Sequence, residues 1–165
     1  MTATAGNLAA EPLCRVDITL DADAPIGLGR SPWRNRRVSY IAGGTVTGPR
    51  LNGVVRPGGG DWSEGGMAEN GDALTYVEVR SLWTTDDGAD IYVTYTGRLI
   101  IPAGVLGAFR DPAKIDALDP SAYYFRIAPF FETADPRYDW LNRAMAVGKG
   151  TRTARGVIYD ISLVA

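Results

Sequence analysis

Apolar and polar residues alternate along many segments of this chain of 165 residues. Alternation with a period of two is typical of β-strands that bury one face. The longest example spans 74–101, where two alternating runs flank Asp86-Asp87-Gly88. Because Asp-Gly favours a tight turn, this stretch predicts one long β-hairpin. Shorter runs of the same kind lie at 13–20, 36–42, 123–132, 145–152 and 155–164.

About ten strand segments at fairly even spacing, with almost no helical pattern, predict an all-β fold. An antiparallel barrel and a sandwich both satisfy this pattern, and a barrel is favoured because closure removes exposed strand edges. We expect a single barrel domain at 13–165 after a loose leader at 1–12, which lacks the composition of a secretory signal. The stretch 21–35, rich in Gly and Pro, predicts a loop, and 112–119 predicts a turn or two of helix over one end of the sheet.

The stretch 43–62, GGTVTGPRLNGVVRPGGGDW, predicts a pocket. Glycine permits positive φ and close approach, and proline removes a donor from a sheet, so two bent or bulged strands are expected here. The triple glycine at 58–60 immediately precedes Asp61 and Trp62. We expect this pair to form a pocket floor, in which the carboxylate supplies charge and the indole supplies a flat apolar wall.

The absence of histidine narrows the possible chemistry, and the chain has only one cysteine, Cys14. These counts exclude triads that use histidine, metal sites ligated by histidine, clusters held by several thiolates and internal disulfides. Chemistry must then come from Asp, Glu, Tyr, Arg, Lys or Ser, and we expect no metal and no cofactor. A single cysteine also fits a reducing cytoplasm.

Charge and hydropathy predict neither a nucleic-acid partner nor a membrane partner. The formal net charge is −2, and the basic residues are scattered apart from one local group at 30–37. No apolar run approaches the roughly 20 residues that a membrane-spanning helix needs. Asp86-Asp87-Gly88 lacks the spacing of an EF-hand loop, and no GK[ST] follows the glycines at 58–60, so neither predicts a calcium or phosphate site.

Three stretches of the chain resemble the DUF3237 family, also called UPF0311, of small bacterial and fungal proteins. They are the one at 43–62, VEVRSLWTTDDGADIYVTYTG at 77–97 and YYFRIAPFFETADPRYDWLN at 123–142. The resemblance implies an antiparallel up-and-down β-barrel, and most members of the family have no assigned activity. At least one fungal member looks like a cofactor-free cyclase that adds a hydroxyl across an alkene. Transfer of that reaction to this chain would be analogy, because fold does not fix function.

Four residues are predicted to line a hollow barrel interior and to be catalytic: Asp61, Arg80, Arg126 and Glu132. Asp61 either serves as a pocket carboxylate with a raised pKa or caps a turn beside a core tryptophan. Arg80 is placed in the barrel lumen because the family motif holds an arginine at the matching position. Arg126 and Glu132 share one face of a strand, where they either hold a substrate oxygen or form a structural ion pair.

Aromatic and polar neighbours of these residues are predicted to bind substrate. Trp140 and Asn142 would close a mouth with an aromatic lid and an amide donor, or would plug the barrel end. The complete predicted set is Tyr40, Trp62, Tyr76, Glu78, Tyr95, Tyr124, Phe131, Trp140 and Asn142.

The sequence therefore favours a cofactor-independent enzyme that transfers protons on a small apolar or aromatic metabolite. Lyase, hydratase, isomerase and cyclase chemistry, including intramolecular hydroalkoxylation, would all need only these parts. The alternative is a barrel that binds a small molecule without converting it, and a filled lumen would indicate a purely structural subunit. We also expect a cytoplasmic homo-oligomer.

Overall fold

The computed structural model describes residues 8–165, whose strands pair into one antiparallel sheet. The strands are β1 (Ala10–Leu20), β2 (Ile26–Arg30), β3 (Asn35–Thr47), β4 (Gly53–Val55), β5 (Gly60–Asp61), β6 (Glu64–Met67), β7 (Ala73–Thr85), β8 (Asp90–Ile101), β9 (Tyr124–Glu132), β10 (Ala146–Arg152) and β11 (Gly156–Val164). One α-helix is described, α1 (Leu106–Arg110), with short 3-10 helices at Ala103–Val105, Ile115–Ala117, Pro120–Ala122 and Asp139–Arg143.

The sheet closes into an eight-stranded up-and-down barrel, which confirms the predicted fold class. From β7 to β11 each strand pairs with the next one along the chain, and β1 pairs with both β11 and β3. Between β3 and β7, the short segments β4, β5 and β6 follow one another and act as a single interrupted strand. This closure leaves β2 as the strand outside the barrel ring.

The predicted long hairpin is present as β7 and β8, which pair along their whole length. Gly88 lies in the connecting turn with φ +86°, a left-handed conformation that glycine adopts without strain. The predicted final hairpin is present as β10 and β11.

Several boundaries differ from the sequence predictions. Strand β1 begins at Ala10 rather than at residue 13, and residues 1–7 of the predicted leader lie outside the described residues. Strand β2 forms where a loop was expected, because its backbone pairs with β3. All five of its residues are exposed, so the strand has no buried face and leaves no alternating pattern in the sequence. The α-helix lies before 112–119, which holds a 3-10 turn instead.

Large side chains fill one end of the barrel interior. Trp83 lies edge-on to Phe131 with ring centroids 6.0 Å apart, and Leu141, from the 3-10 helix between β9 and β10, is fully buried. A cavity lies at the other end, beside α1. No helix in 8–165 has the length and apolar character needed to cross a bilayer.

Candidate functional site

A row of side chains crosses the inner wall of the barrel at half height. Ser39 pairs with Asp61, Asp61 pairs with Val79, and Val79 pairs with Tyr95 on successive strands. Residues directly opposite one another in a sheet share a face, and Val79 and Tyr95 are buried in the core. Asp61 and Ser39 therefore face the interior.

The pKa of the Asp61 carboxyl group lies near neutral pH. Burial raises its pKa to about 7, and the backbone amide of Glu78 partly opposes this rise by donating a hydrogen bond of 3.2 Å to Oδ1. The positive charge of Arg37 lowers the pKa further, and the nearby Ser63 side chain makes the smallest contribution. The carboxyl group can therefore gain and lose a proton near pH 7.

Arg37 supplies the positive charge beside Asp61. Its Nη2 donates a hydrogen bond of 2.8 Å to Oγ1 of Thr75, and its buried Nε has no hydrogen-bond partner among the described residues. Burial lowers the pKa of this guanidinium, and Asp61 opposes that effect. An arginine stays protonated at neutral pH, so the interior holds a fixed cation.

Two buried tyrosines complete the polar interior. The rings of Tyr95 and Tyr159 meet edge to face with centroids 5.3 Å apart, and Phe125 packs on Tyr159 at 5.4 Å. Burial raises the pKa of both hydroxyls, and the charge of Asp61 raises each pKa further. Both groups therefore stay neutral and can donate hydrogen bonds at the pH where Asp61 titrates.

A cavity of about 230 Å³ lies above this polar row, at the end capped by α1. Asp61 is not itself one of its lining side chains, but Ser39 and Ser63 are, and the Ser63 side chain lies close enough to Asp61 to lower its pKa slightly. The hydroxyl of Ser63 is therefore near both the cavity and the acid. The lining residues are Pro25, Arg37, Ser39, Ser63, Ala73, Thr75, Leu99, Ile101, Phe109, Arg110, Phe125 and Arg152.

The glycine bend that the sequence predicted has a steric cause. Gly58 takes φ +104°, and a Cβ added at Gly59 would lie 2.5 Å from the backbone oxygen of Arg80. The chain can therefore lie tightly against β7 only with glycine at 59, and β5 then turns Asp61 inward. Because neighbouring residues on a strand face opposite sides, Trp62 points outward, and the expectation that it forms the pocket wall is wrong.

The predicted interior placement of Arg80, Arg126 and Glu132 is also wrong. All three are exposed, because the buried faces of β7 and β9 are those of their odd-numbered residues. Arg80 forms a salt bridge of 3.2 Å with Glu78, which likewise belongs to the outer face. Arg126 lies over the ring of Tyr124, with Cζ 4.9 Å from the ring centroid.

The predicted aromatic lining divides in the same way. Tyr95 is buried in the interior, whereas Tyr40, Tyr76 and Tyr124 lie on the outer wall with between 36% and 48% of their surface exposed. Their aromatic character is compatible with either side of a β-barrel, and the strand register alone decides between them.

The remaining three predicted residues lie at the closed end. Phe131 packs on Trp83, and Trp140 is half-buried against the core with the guanidinium of Arg50 3.9 Å above its ring centroid. Asn142 accepts a hydrogen bond of 2.9 Å from the amide of Thr133. These contacts are those of a plug, which was one of the two alternatives, and not those of a lid over the cavity.

Sequence reasoning missed most of the polar interior. Arg37 belongs to the local basic group at 30–37, for which the sequence predicts no interior position, and no motif marks Ser39, Ser63, Thr75 or Tyr159. A usable signal was present in Val77 and Val79, whose apolar face carries Thr75 along the same strand. Pairing across β7 would then have placed Asp61 on that face.

The family model described as a protein of unknown function (DUF3237) matches residues 8–164. A UPF0311 protein of Rhodopseudomonas palustris is 35% identical over 129 residues, which are 78% of this chain and 80% of the relative. A crystal structure of a conserved protein of unknown function from that organism superposes with a TM-score of 0.83, at 29% identity, covering 97% of this chain and 99% of the other.

Two further solved structures have the same fold. A β-barrel-like protein of Acinetobacter baumannii is 33% identical, with a TM-score of 0.75 and coverage of 99% and 100% of the two chains. A protein of Penicillium herquei described as an enzyme has a TM-score of 0.68 with full coverage of both chains, at 18% identity. At that identity the likeness concerns the fold alone.

The raised pKa of Asp61 predicts a specific dependence of stability on pH. The folded protein binds this proton up to about pH 7, whereas an unfolded chain releases it near pH 3.9. The free energy of unfolding should therefore fall as the pH rises from about 4 to 7. Asp61→Asn, which cannot ionise, should match the wild type near pH 4 and exceed its stability by ~2–4 kcal/mol at pH 8.

Urea denaturation at a series of pH values measures this difference. Asp21→Asn is the matched control, because it makes the same substitution at an exposed aspartate. A stability difference between Asp61→Asn and wild type that stays constant from pH 4 to pH 8 would contradict the buried, protonated state of Asp61.

Proposed function

We propose that this protein, which belongs to the DUF3237 family, is a cofactor-independent enzyme that transfers protons on a small, largely apolar molecule. The class covers lyases, hydratases, isomerases and cyclases, all of which can proceed by acid and base steps alone. The observation that carries the proposal is an interior carboxyl group with a pKa of about 7, next to a serine whose side chain lines a cavity.

Asp61 is the proposed acid and base. A catalytic group is most effective when its pKa lies near the working pH, since it is then present in both forms. In the proposed step a substrate carbon releases a proton to Oγ of Ser63 while the hydroxyl proton of Ser63 passes to Asp61. The C–H electron pair moves toward an adjacent carbonyl, and Asp61 later returns a proton by the same route.

Arg37 and Tyr95 are the proposed stabilisers of the negative charge that develops on the carbonyl oxygen. The charge of Asp61 affects the pKa of both groups, and Arg37 also lines the cavity. In an interior shielded from water, fixed charges and hydroxyl dipoles stabilise an oxyanion more strongly than in solution. The enzyme description of the Penicillium herquei protein adds support by analogy of fold only.

The second candidate is a barrel that binds its ligand without converting it. The apolar side chains around the cavity favour this function, and so does the position of Asp61 behind the two serines rather than in the lining. In this case Asp61 would adjust the charge of the cavity and would transfer no proton to the ligand.

Solvent deuterium distinguishes the two candidates. The purified protein is incubated in D2O with a small-molecule extract of the source cells, and mass spectrometry follows every species. An enzyme of the proposed class should generate new species or add deuterium to existing ones, and Asp61→Asn should slow this by about 10²–10⁴-fold. Ser63→Ala should slow it as well, because the proton relay is broken.

Arg80→Gln, Arg126→Gln and Glu132→Gln are matched controls, because their side chains lie on the outer wall. We expect each to convert substrate at the rate of the wild type. If these variants lost activity while Asp61→Asn kept it, the catalytic site would lie on the outer surface instead. Retention of unaltered molecules, with no conversion and no deuterium, would establish the binding function instead.

We also propose that the protein is a homo-oligomer in the cytoplasm. Tyr124 and Phe130 on β9 expose 48% and 52% of their surface on the outer wall, where a second copy would cover them. The free thiol of Cys14 supports the cytoplasmic location, because free thiols persist in a reducing compartment. Light scattering of the purified protein should give a mass above the 17.7 kDa of one chain. A mass of one chain at all concentrations would contradict the proposal.

A further inference from the structure

Three arginines converge on the cavity and lack carboxylate partners. Arg37 comes from β3, Arg110 from α1 and Arg152 from β10, and together they form what we call the guanidinium cluster. Within 8–165 none of them forms a salt bridge within 4.0 Å. The cavity lining contains no aspartate or glutamate. The cavity therefore has an excess of positive charge.

We infer that the cavity binds a compact organic carboxylate, with its anionic group held by the guanidinium cluster and its apolar body against the opposite wall. This inference names the ligand class of the proposed site, and it rests on the proposed function only in using the same cavity. It holds for an enzyme and for a binding protein alike.

Burial makes the charge of Arg37 costly unless a ligand balances it. A charge removed from water is stabilised by a paired counter-charge or by hydrogen bonds to every donor. Arg37 has one side-chain bond, to Thr75, and an unpartnered Nε, and the charge of Arg110 lies close enough to disfavour its own. Arg152 differs, because its Nη1 donates to the carbonyls of Thr153 and Gly156. Arg37 and Arg110 are therefore the main candidates for anion contact.

The other residues that line the cavity determine the size and polarity of the rest of the ligand. An apolar wall is formed by Leu99, Ile101, Phe109 and Phe125. The edge of Phe109 meets the ring of Tyr123 at 5.0 Å between centroids, which fixes it over the cavity end. A cavity of about 150 Å³ in a protein core can hold benzene. The 230 Å³ found here therefore suits one ring and a carboxylate group.

Ionisation of Asp61 should weaken the binding of such an anion. The charged and titratable groups that influence Asp61 inside the barrel are Arg37 of β3, Tyr95 of β8 and Tyr159 of β11. The charge of Glu78, on the outer face of β7, also raises the pKa of Asp61. Below pH 7 Asp61 is neutral, and Arg37 is then free to pair with a carboxylate ligand. Above pH 7 its own negative charge competes for Arg37 and repels the ligand.

Calorimetric titration with benzoate and benzamide tests the inference on the full-length protein. The two probes have nearly the same shape, and only benzoate is charged. Wild type should bind benzoate at least about tenfold more tightly than benzamide at pH 6. Benzoate affinity should fall by roughly threefold to thirtyfold between pH 6 and pH 8.5, and Asp61→Asn should abolish this fall.

Arginine variants test whether the preference for benzoate comes from the guanidinium cluster. Arg37→Met and Arg110→Met should each reduce the preference for benzoate over benzamide, whereas Arg98→Met, on the outer wall, should leave it unchanged. Arg110 is exposed on a short helix, so its variant keeps the test valid if Arg37→Met does not fold. Equal binding of the two probes, no binding of benzoate, or an equal preference in all variants would overturn the inference.

The result of this titration can be distinguished from the result of the deuterium experiment that tests the proposed function. Benzoate binding without any deuterium incorporation would leave the anion site intact and remove the catalytic activity. Conversion of substrates that carry no acid group, together with no preference for benzoate, would support the enzyme and remove the anion site.

Discussion

Closure of the sheet forces every strand of the barrel ring to turn one face to a shared interior, and the rest of the structure depends on this constraint. Side chains alternate strictly along a strand, so a register fixed at one position fixes it throughout. Val77 and Val79 turn the inner face of β7 toward the core, and pairing then carries Asp61, Ser39 and Tyr95 to the same side. The polar site is therefore a consequence of the way the apolar core is built.

The barrel interior divides into two halves with different roles. One half is filled by Trp83, Phe131 and Leu141, and its packing stabilises the closed sheet. The other half contains Asp61 and Arg37 near an open cavity, and burying these groups costs free energy. The packing at the first end offsets the free-energy cost of burying these polar groups at the second. Residues that destabilise the fold in this way are typical of functional sites.

The fold could be predicted from the sequence because its signals are local. Alternation and the turn at Asp86-Asp87-Gly88 specify the long hairpin without any knowledge of distant residues. The outward position of Arg80 could be inferred from Val77 and Val79 on the opposite face of β7. The side to which Arg126 points could not be predicted in this way, since both faces of β9 carry aromatic residues. Asp61 was found because glycine marks the bend before it, whereas Arg37 reaches the site only through pairing between distant strands.

Burial in the barrel interior raises the pKa of Asp61 to near neutral, and the proposed chemistry depends on this shift. Carbon-13 NMR of the aspartate side-chain carboxyls, with the Asp61 signal assigned by its loss in Asp61→Asn, measures the shift directly. We expect a titration midpoint near pH 7 for this carboxyl group in the folded protein. A midpoint near pH 4, the ordinary value for an exposed aspartate, would contradict it.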